Sequence, residues 1–239
     1  MRLAVDIGNT CIKAGLFEGL RLLEVFRFEL DSYGDLVALA RDAGVDGSIV
    51  CNVSGVGADC IAGLQGVVPV HVLSAATRLP FTNCYKTPSS LGGDRVAGVA
   101  GAYFSHPGEA LLVVDAGTAI TYDYLDSQGN YLGGAISPGI ELRYMGLHEH
   151  TGLLPQVEGK GEYALLGQST EECIRAGVLG GVVREVQGYI EALRAQEGEF
   201  AVILTGGAAK FLDNNINCCT FVSSNVVLEG LNGLLRYNE

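Results

Sequence analysis

The sequence predicts an α/β protein assembled from two copies of one βββαβα-like unit, and three observations carry that expectation. An apolar strand ends in an aspartate and a glycine turn at "LAVDIGNT". The same succession returns at "LLVVDAGTA", and each copy continues as a three-stranded meander before helical periodicity takes over. Residues 2–7 read as the first strand, 11–17 (CIKAGLF) as the second, "EGLR" as a turn and 22–28 (LLEVFRF) as the third. Helical spacing follows at 35–43, a buried strand at 48–53 (SIVCNV) and a small-residue helix at 94–104. In the second copy 110–115, 118–125 and 131–136 are the strands, with "DSQGN" turning between the last two. Helices are expected at 140–148 and 169–195, the latter broken or crowded by Gly177, Gly180 and Gly181. A strand at 200–204, a glycine loop "TGGAAKFL" and a Leu-packed helix "VVLEGLNGLLR" close the chain. The division expected on this pattern is 1–108 and 109–239.

Composition narrows the function classes. With 239 residues and 48% hydrophobic content the chain can bury a sizeable core. Its net charge of −12, with no run of Lys or Arg, is the wrong footprint for gripping nucleic acid by its phosphates. No apolar stretch approaches the roughly 20 residues that span a bilayer, and the three apolar residues before Asp6 are too few for a secretory leader. Seven cysteines, without a C-x-x-C pair, suggest neither a disulfide framework nor a zinc site. The expectation is a reducing, cytoplasmic setting with no nucleic-acid or membrane partner.

The chemistry-bearing residues lie at the turns. In Asp6, Ile7, Gly8, Asn9, Thr10, Cys11, Ile12 and Lys13, the glycine lets the backbone approach a phosphate, Asn9 and Thr10 offer donors, and Lys13 supplies a point charge. Asp6 suits a hydrated magnesium ion, which favours carboxylate and water oxygens. The alternative is a hairpin turn whose Asp and Asn bond their own backbone. Asp115 and Thr118 repeat this logic, cation ligand and phosphate donor, with the same alternative. In "LTGGAAK" two glycines between strand and helix permit a flat ligand to lie on the backbone, or form a plain connection. In "YKTPSSLGGDR", Asp94 is either a first-turn acid favoured by the helix dipole or a base for a hydroxyl proton, and Arg95 has the planar fork that grips a carboxylate. His148 and His150 are two residues apart and point to different sides of a helix, so they read as surface or packing residues. Cys218 and Cys219 read as packing.

These segments in this order resemble the type III pantothenate kinases of the actin and sugar-kinase superfamily. "DIGNT" with Lys13, "YKTPSSLGGDR", "VVDAGTA", "GGAISPGIELRYMGLHEHTGLLP", "GQSTEECIRAG", "LTGGAAKFL" and "VVLEGL" carry the likeness over nearly the whole chain. The resemblance implies two duplicated ribonuclease H-like domains, as in actin-like ATPases, with a nucleotide cleft between them. It further implies ATP-dependent phosphorylation of pantothenate to 4′-phosphopantothenate, the first step toward coenzyme A. Carried over, Asp6 to Lys13 and Thr118 would bind ATP, and Asp6 magnesium through water. Tyr85, Gly92, Gly93, Asp94, Arg95 and Thr170 would bind pantothenate, with Asp94 as proton acceptor, and Asp115 would hold potassium or ammonium. A homodimer is implied as well. Two departures from the family pattern are Gly93, a second glycine expected to loosen its loop, and Ala208, where an acid is common. The alternatives are a sugar or acetate kinase, which has no need of the Tyr85 to Arg95 segment, and a non-catalytic accessory regulator, which the presence of Asp6, Lys13 and Asp94 disfavours.

Overall fold

In β1 (Arg2–Ile7) Leu3, Ala4, Val5 and Ile7 are buried, so both faces of the strand are covered and Asp6 is a half-buried exception beside its end. The strand turns into β2 (Ile12–Glu18) and β3 (Arg21–Phe28), then α1 (Tyr33–Asp42), β4 (Gly47–Asn52), α2 (Ala58–Gln65) and β5 (Val70–Val72) follow. The sheet order is β3-β2-β1-β4-β5. These observations come from a computed structural model, which describes residues 1–54, 57–159 and 162–239. After β5 come a two-residue strand β6 (Thr82–Asn83), a short helical turn at Pro88–Ser90 and α3 (Gly93–Ser105).

The second sheet begins with β7 (Leu111–Ala116), β8 (Ala119–Leu125) and β9 (Asn130–Pro138). It continues through α4 (Ile140–Glu149), α5 (Thr170–Glu197), β10 (Ala201–Thr205), α6 (Ala209–Asp213) and β11 (Phe221–Val222), and the chain ends in α7 (Val226–Asn238). Its order is β11-β10-β7-β8-β9, with β6 added beyond β9. Replacing β1, β2, β3, β4 and β5 by β7, β8, β9, β10 and β11 turns one order into the other. The duplication is therefore present in the topology and not only in the turns. It extends to single positions: Asp6 and Asp115 are each the fifth residue of a six-residue strand. Each pairs in parallel with the strand that follows the crossover, Asp6 with Cys51 and Asp115 with Thr205.

The packing units cross the expected 108/109 boundary. One unit comprises Met1–Glu109, Tyr124–Gly133 and Asn225–Glu239, and the other Ala110–Asp123 and Gly134–Ser224. The first gains α7 because that helix crosses α3 at backbone contact. A Cβ on Gly101 would lie 2.1 Å from the Val226 carbonyl oxygen, and one on Gly230 1.8 Å from that of Ala97. Its main core lies between the sheet and the α1–α2 pair, around Leu3, Val5, Ile12, Leu36 and Leu64. The first unit also takes the outer ends of β8 and β9, where Asn130 and Tyr131 pair with β6.

In the second unit α5 runs unbroken for 28 residues, so of the two expected outcomes its glycines do not break it, and crowding is found at Gly180, where a Cβ would lie 2.6 Å from Arg184 Nη1. Each glycine costs about 1 kcal/mol relative to Ala. The buried stripe of Ile174, Val178, Leu179, Val182, Val183, Val186 and Ile190 outweighs that cost by removing large apolar surface from water. The helix is also capped: Ser169 Oγ accepts the Glu172 N–H at 3.3 Å, and Glu172 Oε2 accepts the Gln168 N–H at 2.7 Å.

Candidate active site

The β1–β2 connection is a four-residue turn closed by the Gly8 N–H donating to the Cys11 carbonyl at 3.1 Å. Ile7 and Ile12 are buried on either side and pair across the strands, which fixes the register and puts Asp6 opposite Lys13. Asn9 and Thr10 stand exposed at the tip. Gly8 has no positive φ, and a Cβ there would come no closer than 3.4 Å to its nearest neighbour, so the turn itself does not require glycine.

Asp94 is the second residue of α3, and its Oδ1 accepts the Arg95 N–H at 2.8 Å. The helix start fits here because two glycines precede the carboxylate. A Cβ on Gly92 would lie 2.5 Å from Asp94 Oδ1, and one on Gly93 2.8 Å from Cys51 Sγ. Gly93 thus lets α3 press onto the end of β4 instead of loosening its loop. Cys51 reports what gathers around that strand end. Burial pushes its thiol well above the usual range, and the negative charges of Asp6 and Asp94 push it in the same direction. Asp6 pairs with Cys51 across β1 and β4, and Asp94 follows the glycine that α3 lays on the Cys51 sulfur, so both carboxylates belong to the surroundings of this strand end in the first unit.

Beside this point a cavity of about 300 Å³ is lined by Cys51, Asn52, Ser74, Leu91, Gly93 and Val96 among others, a mixed apolar and amide surface suited to a small polar ligand. Arg95, buried to 7% exposure, lays its guanidinium over the Tyr85 ring at 5.7 Å. Tyr85 is held in turn: its N–H donates to Asn83 Oδ1 at 3.0 Å, and its ring stacks on buried Tyr131 at 6.2 Å. Sequence reading passed over Asn83, although an Asn side chain can accept the main-chain N–H two residues on in an Asx turn.

In the second unit Asp115 sits near the end of β7 against the glycine loop after β10. Gly206 has φ +85°, and a Cβ on it would lie 2.4 Å from Asp115 Oδ1. The "TGG" glycine that sequence reading associated with a flat ligand therefore also gives this carboxylate room. Thr118 is exposed on the following turn. That turn is closed by the Gly117 N–H to the Ala119 carbonyl at 3.0 Å and backed by the Gly139 N–H to the Thr118 carbonyl, also at 3.0 Å. Gly117, like Gly8, has neither a positive φ nor a close neighbour. Thr170 is the exposed first residue of α5, in a different unit from Tyr85 and Asp94. Among the described residues no helix is long and apolar enough to cross a membrane.

The comparisons with known proteins concern the family and the fold. The family described as type III pantothenate kinase matches residues 2–192. A type III pantothenate kinase of Bacteroides fragilis (strain YCH46) is 41% identical over 240 residues, covering 100% of this chain and 99% of its own. One from Flavobacterium johnsoniae is 40% identical, with 99% and 98% covered. Among solved structures, a Campylobacter jejuni protein provisionally described as a conserved Baf family transcriptional activator superposes with a TM-score of 0.64 at 22% identity, covering 99% of this chain and 98% of that one. A ROK family glucokinase from Streptomyces griseus, solved with glucose and AMPPNP, gives 0.55 at 14%, with 99% and 98% covered. These two likenesses concern the fold, a duplicated ribonuclease H-like architecture. The match over residues 2–192 and the full-length relatives at 40–41% identity place the chain in the type III pantothenate kinase family.

Proposed function

We propose that the protein transfers the γ-phosphoryl group of ATP to the primary alcohol of pantothenate, giving 4′-phosphopantothenate and ADP for coenzyme A synthesis. Family membership supports the reaction, and one geometric observation supports the assignment of residues: Asp6 lies beside Cys51 in the β1–β4 register, and α3, whose second residue is Asp94, starts against Cys51 Sγ. This is the arrangement expected if a phosphate turn and a proton acceptor serve one reacting centre.

On this reading the backbone of Gly8 to Cys11 and the Asn9 and Thr10 side chains hold the ATP phosphates. The unforced glycines at 8 and 117 leave the main chain open to them, Lys13 adds positive charge and Thr118 donates a further hydrogen bond. Arg95 takes the pantothenate carboxylate, its fork stiffened by the Tyr85 face, while the cavity beside Gly93 receives the uncharged part of the molecule. Thr170 is the remaining substrate contact. The alcohol oxygen attacks the γ-phosphorus as the bond from that phosphorus to the β,γ-bridging oxygen breaks, and the hydroxyl proton passes to the Asp94 carboxylate. A weak base suffices, because a loose transition state develops little charge on the attacking oxygen until late.

A divalent ion accompanies ATP in a kinase. Asp6, a half-buried carboxylate at a strand end, is a hard oxygen donor that fits magnesium through water. Asp115, a half-buried carboxylate at the matching strand end, fits a monovalent cation, potassium or ammonium. When bound, these ions neutralise the phosphate charge that an acidic protein would otherwise repel. We infer a cytoplasmic homodimer. The test is Asp94→Asn: kcat should fall by about 10²–10⁴ with the protein still folded, and unchanged turnover would remove Asp94 from the mechanism.

A further inference from the structure

We propose that Arg143 and Glu185 are positioning residues for the Asp115–Ala119 turn, acting through the chain at Pro138–Gly139. The proposal rests on the reading that Thr118 contacts ATP and Asp115 the monovalent cation. All the groups involved belong to the second unit.

The turn does not stand alone. Gly139 lies flat on it: beyond the hydrogen bond to Thr118, a Cβ at 139 would fall 2.2 Å from the Gly117 carbonyl oxygen and 2.5 Å from that of Thr118. The position of residues 138–139 therefore sets the height of the turn. Arg143 fixes that position, because its Nε donates to the Pro138 carbonyl at 2.8 Å while its own N–H closes the first turn of α4 onto the Gly139 carbonyl at 3.1 Å. The guanidinium is held by Glu185, whose Oε2 accepts from Arg143 Nη2 at 2.5 Å. Glu185 Oε1 accepts from the Tyr122 hydroxyl at 2.8 Å and from Ser137 Oγ at 2.5 Å.

Glu185 thereby accepts from three donors, and it projects from the middle of α5, a 28-residue helix. Tyr122 is fully buried and stacks on Tyr189 at 4.3 Å, which ties the same helix to β8. A half-buried ion pair contributes little net stability once desolvation is counted. It does specify geometry, since the planar fork of arginine meets a carbonyl and a carboxylate in one orientation only. The phosphoryl transfer proposed above assigns no role to Arg143, Glu185, Tyr122 or Ser137.

The experiment measures steady-state kinetics and thermal midpoints for Glu185→Gln, Arg143→Lys and Tyr122→Phe, with Thr118→Ala as the reference and Val178→Ala, a core change in the same unit, as the stability control. Glu185→Gln and Arg143→Lys should raise the KM for ATP and the half-activating potassium concentration by about two- to thirtyfold, with the KM for pantothenate unmoved and Tyr122→Phe intermediate. If Thr118→Ala raises the KM for ATP while the Arg143 and Glu185 variants do not, the positioning role is overturned and the nucleotide reading stands. If Thr118→Ala leaves that KM unchanged, the nucleotide reading fails and the proposal fails with it. An equal rise in Val178→Ala at matched thermal midpoint would also overturn it, because the effect would then be general loosening.

Discussion

Cys51 is the residue through which the first unit's site can be read. It is buried at the end of β4, it limits how closely α3 can approach, and it is exposed to the fields of both Asp6 and Asp94. Because the thiolate is the reactive form, its raised pKa makes it inert. Cys60, pushed up to about 11 by burial, should behave likewise. Alkylation of the folded protein at pH 8, followed by peptide mass spectrometry, should modify the exposed Cys84 and Cys219 and spare Cys51 and Cys60. Labelling of Cys51 at the rate of Cys84 would contradict the geometry. The partners of Cys51 were not legible in the sequence, since its role depends on β4 lying next to β1 and on α3 starting against it. Asp6, Lys13, Asp94 and Arg95 were legible as candidates, because each belongs to a local motif with a chemical reason for its spacing. Asn83, Gly139, Arg143 and Glu185 carry no such local signal. Their function is to hold other residues, and that becomes visible only when strands and helices distant in the chain meet.

At the scale of elements, two devices make sharp claims. The crossing of α3 and α7 depends on Gly101 and Gly230, so Gly230→Ala should destabilise by about 1–3 kcal/mol or more, read as the midpoint of denaturant unfolding. A change within a few tenths of a kcal/mol would mean that the helices do not approach this closely. The second device is the anchor of α5 onto β8, β9 and α4. Burial alone would raise the pKa of Glu185, but hydrogen bonds from Ser137, Arg143 and Tyr122, together with the Arg143 charge, outweigh it and hold it below the ordinary 4.5. Its ionised form therefore contributes stability that is fully present above pH 4.5 and is lost as the pH falls through the lowered folded-state value. The difference in thermal midpoint between wild type and Glu185→Gln should accordingly be largest near neutrality and shrink below about pH 4.5. A difference independent of pH would contradict the charged anchor. The longer strands and most helices were legible from periodicity, whereas the two-residue β6 and β11 were not. The continuity of α5 was not, since local propensity counts its glycines and cannot count the apolar stripe they interrupt. The short α2 and β5 gave too few residues for a period to show.

For the whole molecule the organising fact is repetition. The same five-strand order occurs twice, with an aspartate at the same place in the first strand of each copy and a glycine turn just beyond it. The repeated turns announced this in the sequence. The helix α7, which lies in the second half of the chain and packs in the first unit, did not, because nothing local tells a helix which sheet it will cover. Family membership joins this repetition to a reaction, and on the proposed reading the residues at the two turns and at the start of α3 would supply phosphate binding, a proton acceptor and a carboxylate grip. The most direct test incubates the purified protein with magnesium, ATP and pantothenate in potassium, ammonium or sodium salts and follows both products by mass spectrometry. The account requires ADP and 4′-phosphopantothenate to form in equal amounts, with potassium or ammonium and not with sodium alone. Absence of phosphopantothenate under every salt, or transfer to a hexose in its place, would contradict it.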